Sequence, residues 1–358
     1  MATVRVLVVE DSPTVREHLV ATLRADPTIE VIAAADNGKQ AVELCRTLRP
    51  DVVTMDMMLP EMSGLAATEY IMAFCPTPIL IVSSSVNRGE LFKTYEALSA
   101  GALDVLEKPS GNEAPGVWED TFRATVKLIA RIKVITHPRG RLAPLRESTG
   151  SSAIVPPQLG SRCRVIAIGA STGGPGAIVE ILRSLPADFE LPILFVLHIN
   201  VMFGTAFAEW LDGQSAHRVA YATDGEPFTN ASGRVLMAPP DWHLVVRDGK
   251  LRINHDPERH SCRPSVDVLF ESVAREFGPS ATGILLTGMG RDGASGLLEM
   301  RRAGAFTVAQ DQTTSVVYGM PQQAVALNAA ARVLPLGEIG PLMTTLWRGG
   351  GAVKEPAA

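Results

Sequence analysis

VIAIGASTGGPG, residues 165–176, runs from a short apolar strand pattern through a glycine-rich turn into a helix pattern with apolar periodicity. Ser171 stands between Gly169 and Gly173 in this turn, and a strand that bends sharply into a helix exposes such a hydroxyl beside helical N–H groups. The spacing is therefore that of an alcohol nucleophile presented to an acyl group. Glycine-rich turns of this kind also cradle phosphates or simply reverse the chain, so the turn alone leaves all three interpretations open.

The same strand–helix alternation continues downstream of this turn. We predict a strand over 192–197, a helix near 203–212, a helix near 265–277, a strand over 283–286 and a helix from about 293. Residues 218–254 are predicted to form a β-rich insertion, with turn signals at Asp224-Gly225 and Asp248-Gly249. Residues 163–347 are therefore predicted to form an α/β domain.

Residues 1–133 show the alternation as well. Five short buried strands are predicted at 4–9, 31–34, 52–55, 79–82 and 103–106, with helix patterns at 14–25, 39–48 and 65–74. Alternation of this kind implies parallel strands with right-handed crossovers, and ligands of such sheets bind beyond the carboxyl ends of the strands. The predicted fold class is thus α/β, with two doubly wound parallel-sheet domains.

Proline and glycine punctuate a polar, locally basic stretch at 134–162, where the periodicity fails. This segment is predicted to be a linker between the two domains. An irregular surface loop within one domain is the alternative. Residues 348–358 are predicted to be a disordered tail.

Composition narrows the class of protein. The 358 residues carry a net charge of −5, which argues against nucleic acid as the main partner, because such binding relies on clustered basic residues. No apolar run reaches the roughly 18 residues that span a bilayer, and the N-terminus lacks a signal-peptide pattern. The four cysteines are far apart and form no C-x-x-C pair, as expected of reduced thiols. These features predict a soluble, cytoplasmic protein without membrane insertion.

Acidic residues follow two of the predicted N-terminal strands. Glu10 and Asp11 follow the first strand and Asp56 follows the third, so three carboxylates converge if these strands are neighbours. Crowded carboxylates raise each other's pKa unless a cation is present, and oxygen ligands with room for waters suit Mg²⁺. Lys108 and Ser83 end two further strands at the same rim, where lysine and Mg²⁺ would stabilise a phosphoryl group transferred onto Asp56. For any single residue, a solvated side chain at a strand end is the simpler interpretation.

These positions resemble the receiver domain of bacterial response regulators, which has a flavodoxin-like fold. The motifs are VVEDS at 8–12, DVVTMDMMLPEMSG at 51–64, VSS at 82–84 and EKP at 107–109. The resemblance implies that a histidine kinase of the chemotaxis type phosphorylates Asp56, and that Ser83 and Lys108 are switch residues. It places Mg²⁺ on Glu10, Asp11, Asp56 and the backbone carbonyl of Met58. It also implies a cis Lys108-Pro109 bond, and Glu10 departs from the aspartate that is common in the family.

A nucleophilic serine needs a base, and the base needs an orienting group. His198 directly follows the apolar pattern 193–197, and Asp292 lies in the glycine-rich turn after 283–286. If these strands flank the one before Ser171, the three side chains share one rim. The simpler interpretations are a satisfied polar histidine at a strand end and an aspartate that caps the next helix. The chain order Ser…His…Asp disfavours ordinary α/β-hydrolase esterases, whose order is Ser…Asp…His.

The second domain resembles the catalytic domain of chemotaxis receptor methylesterases, the CheB family. The motifs are IAIGASTGGP at 166–175, LHI at 197–199, APPDWH at 238–243, RPSVDVLFESVA at 263–274 and LLTGMGRDGASG at 285–296. The resemblance assigns the triad to Ser171, His198 and Asp292. It assigns the oxyanion-stabilising contacts to Thr172 and the backbone of Met289.

This resemblance implies a protein-glutamate methylesterase that needs no cofactor in its catalytic domain. Its substrates would be glutamyl methyl esters, and also glutamines, on the cytoplasmic helices of methyl-accepting chemoreceptors during adaptation. The family further implies that the unphosphorylated receiver covers the active site and that phosphorylation relieves this inhibition.

Two other functions stay open. The second domain can be a binding module with a vestigial triad, or the hydrolase can act on a receptor of a non-motility pathway or another acyl substrate. The segment LHINVMFGTAFAEWL at 197–211 departs from the family pattern after the base. Leu197, Ile199, Asn200 and Trp210 are the residues through which the substrate-facing surface would differ.

Overall fold

The computed structural model describes residues 3–84, 87–109, 114, 116–132, 134 and 162–349. The chain divides into two compact units, Met1–Arg146 and Glu147–Ala358. Most of the predicted linker and tail, residues 135–161 and 350–358, lies outside the described residues. Arg348, predicted to begin the tail, instead ends a helix, where a basic side chain is favourable. Within the described residues, no helix combines the length and the apolar character that a membrane crossing requires.

The N-terminal unit is a five-stranded parallel sheet flanked by helices. Its strands are β1 Val4–Val9, β2 Ile29–Ala35, β3 Val52–Met55, β4 Ile79–Ser83 and β5 Asp104–Glu107. Its helices are α1 Pro13–Arg24, α2 Gly38–Leu48, α3 Gly64–Phe74, α4 Arg88–Ser99 and α5 Val117–Ile129. The strand order β2-β1-β3-β4-β5 puts the carboxyl ends of β1 and β3 side by side, as the flavodoxin-like prediction requires.

Local sequence signals explain several helix starts in this unit. Asn37, Ser63 and Asn87 precede α2, α3 and α4, and each side chain accepts a hydrogen bond from a backbone N–H of the first turn. Gly64, the first residue of α3, lies directly against the loop that follows β3. The approach is so close that a Cβ at this position would overlap the carbonyl oxygen of Asp56. This close approach supports the turn that carries Asp56.

The C-terminal unit is a seven-stranded parallel sheet with helices and a separate hairpin. Its strands are β6 Val165–Ala170, β7 Ile193–Leu197, β8 Arg218–Tyr221, β9 Arg234–Met237, β10 His243–Arg247, β11 Lys250–Asn254, β12 Ala281–Leu285, β13 Phe306–Gln310 and β14 Arg332–Leu334. Its helices are α6 Gly174–Ser184, α7 Val201–Gly204, α8 Phe207–Gln214, α9 Val266–Phe277, α10 Ala294–Arg302, α11 Met320–Ala326 and α12 Leu336–Arg348. The order β14-β13-β12-β6-β7-β9-β8 places β6 between β12 and β7. All of β6 is buried, as expected of a central strand covered on both faces.

The β-rich insertion predicted over 218–254 is wrong for its first half. β8 and β9 pair in parallel with each other, and β9 pairs with β7, so both strands extend the central sheet. Of the strands in that range, β10 and β11 form the separate antiparallel hairpin, through the predicted turn at Asp248-Gly249. Both turn residues have positive φ, 52° and 67°, as a two-residue hairpin turn needs. The error arises because a short strand carries no local sign of the strand with which it pairs.

Two expectations drawn from family resemblance are wrong in the structure. Leu197 and Trp210 do not face substrate, because both side chains are buried in the core of the C-terminal unit. Their size and apolar character are used for packing instead. The cis Lys108-Pro109 bond is not observed, and the cis peptide bond among the described residues is Arg263-Pro264.

Candidate active site and phosphoacceptor pocket

An acidic pocket lies at the carboxyl ends of β1, β3 and β5. Glu10 and Asp56 are buried directly after β1 and β3, and Asp11 is exposed beside them. One carboxylate oxygen of each residue lies within 4.8 Å of the others. Lys108 reaches in from the end of β5, with its Nζ 2.8 Å from Glu10 Oε2 and 3.1 Å from Asp56 Oδ1. The structure thus brings these four predicted residues together.

The charges in this pocket are not balanced. Burial raises the pKa of Glu10, and Lys108 offsets this effect only in part. Burial acts to lower the pKa of Lys108, but hydrogen bonding to Glu10 and the charge of Asp56 raise it above its ordinary value. Lys108 therefore pairs with two of the three carboxylates, and carboxylate oxygens are the ligand type that Mg²⁺ prefers. The residues of the pocket fit this ion.

The other residues predicted for this pocket lie at its edge. Ser83 is buried at the end of β4, and its carbonyl accepts a hydrogen bond from the N–H of Lys108 at 3.0 Å. Met58 follows Asp56 by two residues, and no backbone N–H among the described residues donates to its carbonyl. The Met58 carbonyl is therefore available as a metal ligand. The backbone of Ser83 holds Lys108 beside the end of β4.

Ser171 lies at the sharp turn between β6 and α6, where its side chain is half-buried. Its N–H donates to the carbonyl of Thr287 at 3.0 Å, and its carbonyl accepts from the N–H of Gly174 at 2.7 Å. Gly173 has a φ of 79°, a conformation that favours glycine. Gly288 packs against the turn, since a Cβ there would lie 2.8 Å from Ser171 Cβ. Glycines from two loops thus let the backbone close around Ser171.

The backbone N–H groups of Thr172 and Met289 make no hydrogen bond to any described residue. Thr172 follows Ser171 in the turn, and its carbonyl accepts a hydrogen bond from the Thr287 hydroxyl at 3.0 Å. Met289 follows Gly288, the residue that packs against Ser171. Unpaired N–H groups close to a helix start are suited to hold an anionic oxygen. Thr172 therefore lies in the Ser171 turn, and Met289 follows the glycine that packs against this turn.

His198 and Asp292 meet on the same rim as Ser171. His198 follows β7, its N–H donates to the carbonyl of Ala170 at 3.0 Å, and its Nε2 lies 2.9 Å from Asp292 Oδ2. Asp292 reaches this point from the loop after β12, on the other side of β6. Among the described residues no hydrogen bond joins Ser171 to His198, and His198 Nδ1 lies 3.8 Å from Cys262 Sγ instead. The predicted base and its predicted orienting group thus lie together, whereas Ser171 does not contact His198 by a hydrogen bond among the described residues.

Asp292 is 2% exposed, and its carboxylate is fully hydrogen-bonded. Oδ2 accepts from His198 and from the N–H of Val266 at 2.7 Å. Oδ1 accepts from the Ser265 hydroxyl at 2.8 Å and the N–H of Asp267 at 3.2 Å. Burial acts to raise the pKa of Asp292, but the bond to His198 and the donors of α9 hold the pKa below its ordinary value. The carboxylate therefore stays ionised at the N-terminus of α9.

Sequence reasoning missed two parts of this site. Asp292 does not cap the following helix, whose N-cap is Gly293; its partners are the first N–H groups of α9. Ser265 before an acidic residue and an apolar run is a recognisable helix start, but nothing in the local sequence says that this start faces Asp292. Nothing in the local sequence indicated that Cys262 would lie next to His198.

The contacts of His198 change its protonation. Burial acts to lower the pKa of His198, but the hydrogen bond to Asp292, with a further contribution from Cys262, raises it to about 9. A charged imidazole between a carboxylate and a thiol is stabilised on both sides. The histidine is therefore protonated over most of the neutral range and becomes a base only as the pH rises.

The two sites define a class of protein, a phosphorylatable receiver followed by a hydrolase domain. The family model of the response regulator receiver domain matches residues 6–114, and that of the CheB methylesterase matches residues 166–343. The chain belongs to the CheB family of protein-glutamate methylesterases and protein-glutamine glutaminases. The resemblances predicted from the sequence are thereby confirmed.

Relatives of known name match this chain over nearly its whole length. Protein-glutamate methylesterase/protein-glutamine glutaminase 4 of Myxococcus xanthus is 43% identical and covers 98% of both chains. The corresponding enzyme 2 of Anaeromyxobacter dehalogenans is 44% identical over 96% of this chain and 97% of the relative. The crystal structure of the Thermotoga maritima CheB methylesterase catalytic domain is 33% identical and covers 51% of this chain and 98% of that chain, with a TM-score of 0.49.

Proposed function

We propose that this chain hydrolyses glutamyl γ-methyl esters, and deamidates glutamines, on cytoplasmic helices of methyl-accepting chemoreceptors during chemotactic adaptation. The named relatives carry both activities in their names. The observation that carries the proposal is the 2.9 Å contact of His198 with Asp292 on the rim that also holds Ser171. We place the receiver at 1–133, the linker at 134–162 and the hydrolase at 163–347, in a cytoplasmic protein.

The proposed ester hydrolysis uses the residues of this rim in turn. Ser171 Oγ attacks the ester carbonyl while His198 Nδ1, the nitrogen not bonded to Asp292, accepts the proton. This hydrogen bond is expected to form when substrate binds, because catalytic hydrogen bonds are often loose before that. The N–H groups of Thr172 and Met289 hold the oxyanion, each contributing about 3 kcal/mol to barrier reduction.

The second half of the reaction uses the same groups. His198 returns its proton to the departing methoxide, so methanol leaves and an acyl-enzyme remains on Ser171. Water then attacks the acyl-enzyme with His198 again as base, and the free glutamate is released. With a glutamine substrate the leaving group is ammonia. These groups suffice for the chemistry, and we propose no cofactor for this domain.

We propose that phosphorylation of Asp56 by a chemotaxis-type histidine kinase activates the hydrolase. Glu10, Asp11, Asp56 and the carbonyl of Met58 would hold Mg²⁺, which when bound neutralises charge on the incoming phosphoryl group. Lys108, already 3.1 Å from Asp56, would pair with the phosphorylated side chain. Ser83 lies at the same strand-end rim and would contact the phosphoryl oxygens.

A methanol-release assay on a methylated receptor fragment tests the hydrolase. The full chain should release methanol, and should do so faster with a small phosphodonor and Mg²⁺ than without them. Absence of release under both conditions, with substrate binding intact, would favour a domain that only binds its partner.

Replacement of Asp56 by asparagine is expected to abolish both phosphoryl uptake and the activation that accompanies it. The amide cannot form an acyl phosphate, and it removes one of the negative charges that hold Mg²⁺. Uptake can be followed by intact mass, and activation by methanol release. Asp120→Asn is the matched control, because this carboxylate is exposed and pairs with Arg123 in the same unit. Equal activation of both variants would contradict the assignment.

On the acidic side of its pH profile, kcat/KM should follow the deprotonation of His198. Because the base must be neutral, kcat/KM is expected to rise with pH through a pKa near 9, above the ordinary histidine value of 6.5. Cys262→Ser removes one contribution that raises this pKa, so the limb should move to lower pH in that variant. A limb at or below the ordinary value in the wild type would contradict the geometry of the pair.

The exposed part of the unusual segment favours a second candidate substrate, a receptor outside motility. Asn200 is exposed and accepts a hydrogen bond from the N–H of Met202 at 3.0 Å, and Val201 and Met202 are 48% and 47% exposed. These residues follow His198 directly, and we propose that a substrate helix contacts them. Comparing methanol release from receptor fragments of motility and non-motility pathways of the same organism separates the two candidates.

A further inference from the structure

Cys262 is placed against the catalytic histidine on the side opposite Asp292. Its Sγ lies 3.8 Å from His198 Nδ1, while His198 Nε2 lies 2.9 Å from Asp292 Oδ2. One ligand atom from each of these three residues lies within 4.8 Å of the other two. A thiol, an imidazole and a carboxylate are thus gathered around one ring, a donor set that the hydrolytic mechanism does not require.

The loop that carries Cys262 is held in place by its own contacts. Arg259 and Cys262 exchange two backbone hydrogen bonds of 3.1 and 2.9 Å, which close a tight turn through His260 and Ser261. His260 Nε2 lies 3.1 Å from the buried carboxylate of Asp267 and thereby anchors the turn to α9. The Cys262 sulfur that contacts His198 therefore belongs to a turn that these hydrogen bonds hold in place.

The separation of the two donor atoms suits a metal ion. Tetrahedral zinc with Zn–S near 2.3 Å and Zn–N near 2.0–2.1 Å requires its sulfur and nitrogen ligands to be roughly 3.6 Å apart. The observed 3.8 Å differs from this by an amount that a small side-chain rotation removes. Asp292 on Nε2 completes the arrangement, since zinc-bound histidines usually donate their other N–H to a carboxylate.

We propose that Cys262 Sγ and His198 Nδ1 form a binding site for Zn²⁺, a soft-ligand site that inhibits the hydrolase. Binding forms one Zn–S and one Zn–N bond, the thiol proton and the Nδ1 proton of the imidazolium both leave to solvent, and no electrons are transferred. Waters, or Ser171 Oγ, complete the coordination. The inhibition follows from the proposed function, because the metal occupies the nitrogen that must accept the proton of Ser171.

Inhibition by buffered free Zn²⁺ tests the consequence. Methanol release by the full chain should fall with rising Zn²⁺ and recover when a chelator is added. In Cys262→Ser the midpoint, relative to that variant's own metal-free rate, should rise by at least about tenfold, the loss of about 1.4 kcal/mol of binding. Cys75→Ser is the matched control and should keep the wild-type midpoint, because Cys75 belongs to the N-terminal unit. Equal midpoints for wild type and Cys262→Ser would overturn the proposal.

Co²⁺ binding provides a test that is independent of hydrolysis. A thiolate ligand gives Co²⁺ a sulfur-to-metal charge-transfer band, whereas the carboxylates of the N-terminal pocket give none. The band should be present in wild type and Cys75→Ser, absent in Cys262→Ser and weakened in His198→Gln. A band that persists in Cys262→Ser overturns the metal site whatever the enzyme hydrolyses. Suppose that the wild type shows the band but releases no methanol, and that Cys262→Ser shows no band. This outcome supports the metal site and contradicts the proposed function.

Discussion

Replacement of Ser171 by alanine is expected to lower kcat for ester hydrolysis by roughly 10⁶-fold, the scale found when a serine nucleophile is removed from a triad. The N–H groups of Thr172 and Met289, which we propose hold the oxyanion, make no hydrogen bond to the described residues. The hydroxyl of Ser171 makes no hydrogen bond to the described residues, so its loss should leave the melting temperature close to that of the wild type. Phosphoryl uptake by Asp56 should also be unchanged, because the two residues belong to different units.

Three measurements test the Ser171→Ala variant. Single-turnover methanol release gives the rate, a serine-reactive phosphonate should label wild type and not Ser171→Ala, and intact mass reports phosphorylation. Ser232→Ala is the matched control, since Ser232 is exposed and its hydroxyl bonds only to the carbonyl of Glu190 among the described residues. Hydrolysis retained by Ser171→Ala would contradict the assignment of Ser171 as the nucleophile. It would indicate Cys262 instead, whose thiol contacts His198.

Replacement of Asp292 by asparagine should cost about 10⁴-fold in kcat, as the equivalent change does in serine proteases. The amide has the shape of the carboxylate. Its NH₂ group would take either the Oδ2 position, against His198 Nε2 and the N–H of Val266, or the Oδ1 position, against Ser265 and the N–H of Asp267. If it donates to Nε2, the imidazole proton moves to Nδ1, and the nitrogen that we propose accepts the Ser171 proton can no longer do so. The catalytic defect is therefore one of tautomer as well as of charge.

A loss of stability accompanies this change and must be separated from it. Placing an NH₂ group against the donors of α9 leaves a buried polar group unmatched, at a cost of about 1–3 kcal/mol. Asp267→Asn is the matched control, because Asp267 is also fully buried, accepts from the N–H of Gly296 at 2.6 Å and pairs with His260. It should lose comparable thermal stability and far less kcat. Similar kcat losses in both variants would mean that Asp292 acts through the fold alone.

Local sequence decided most of the architecture. Mostly apolar runs of four to six residues at β1, β3 and β6 are long enough for a strand and too short for a helix, and the polar residues that follow each run must lie at strand ends. Glu10, Asp56, Ser171 and His198 were therefore located from the chain, and the structure brings them to the predicted rims.

Contacts between distant segments were beyond the reach of such patterns. The pairing of β8 and β9 with the central sheet depends on which edge is free, and that is a property of the assembled sheet. The contacts of Cys262 with His198 and of Asp292 with α9 join residues 64 and 25–27 positions apart. Hydrogen bonds of this range leave no periodicity in the sequence.

The sequence by itself determined that this chain has two α/β units, an acidic pocket and a serine turn, because strand-forming runs and turn glycines act through neighbouring residues. The tertiary structure alone decided the electrostatics of the site. It placed a carboxylate at a helix N-terminus, a thiol against the opposite ring nitrogen and a histidine pKa near 9 between them. A pKa depends on burial and on partners in three dimensions, and neither can be read from the residue type.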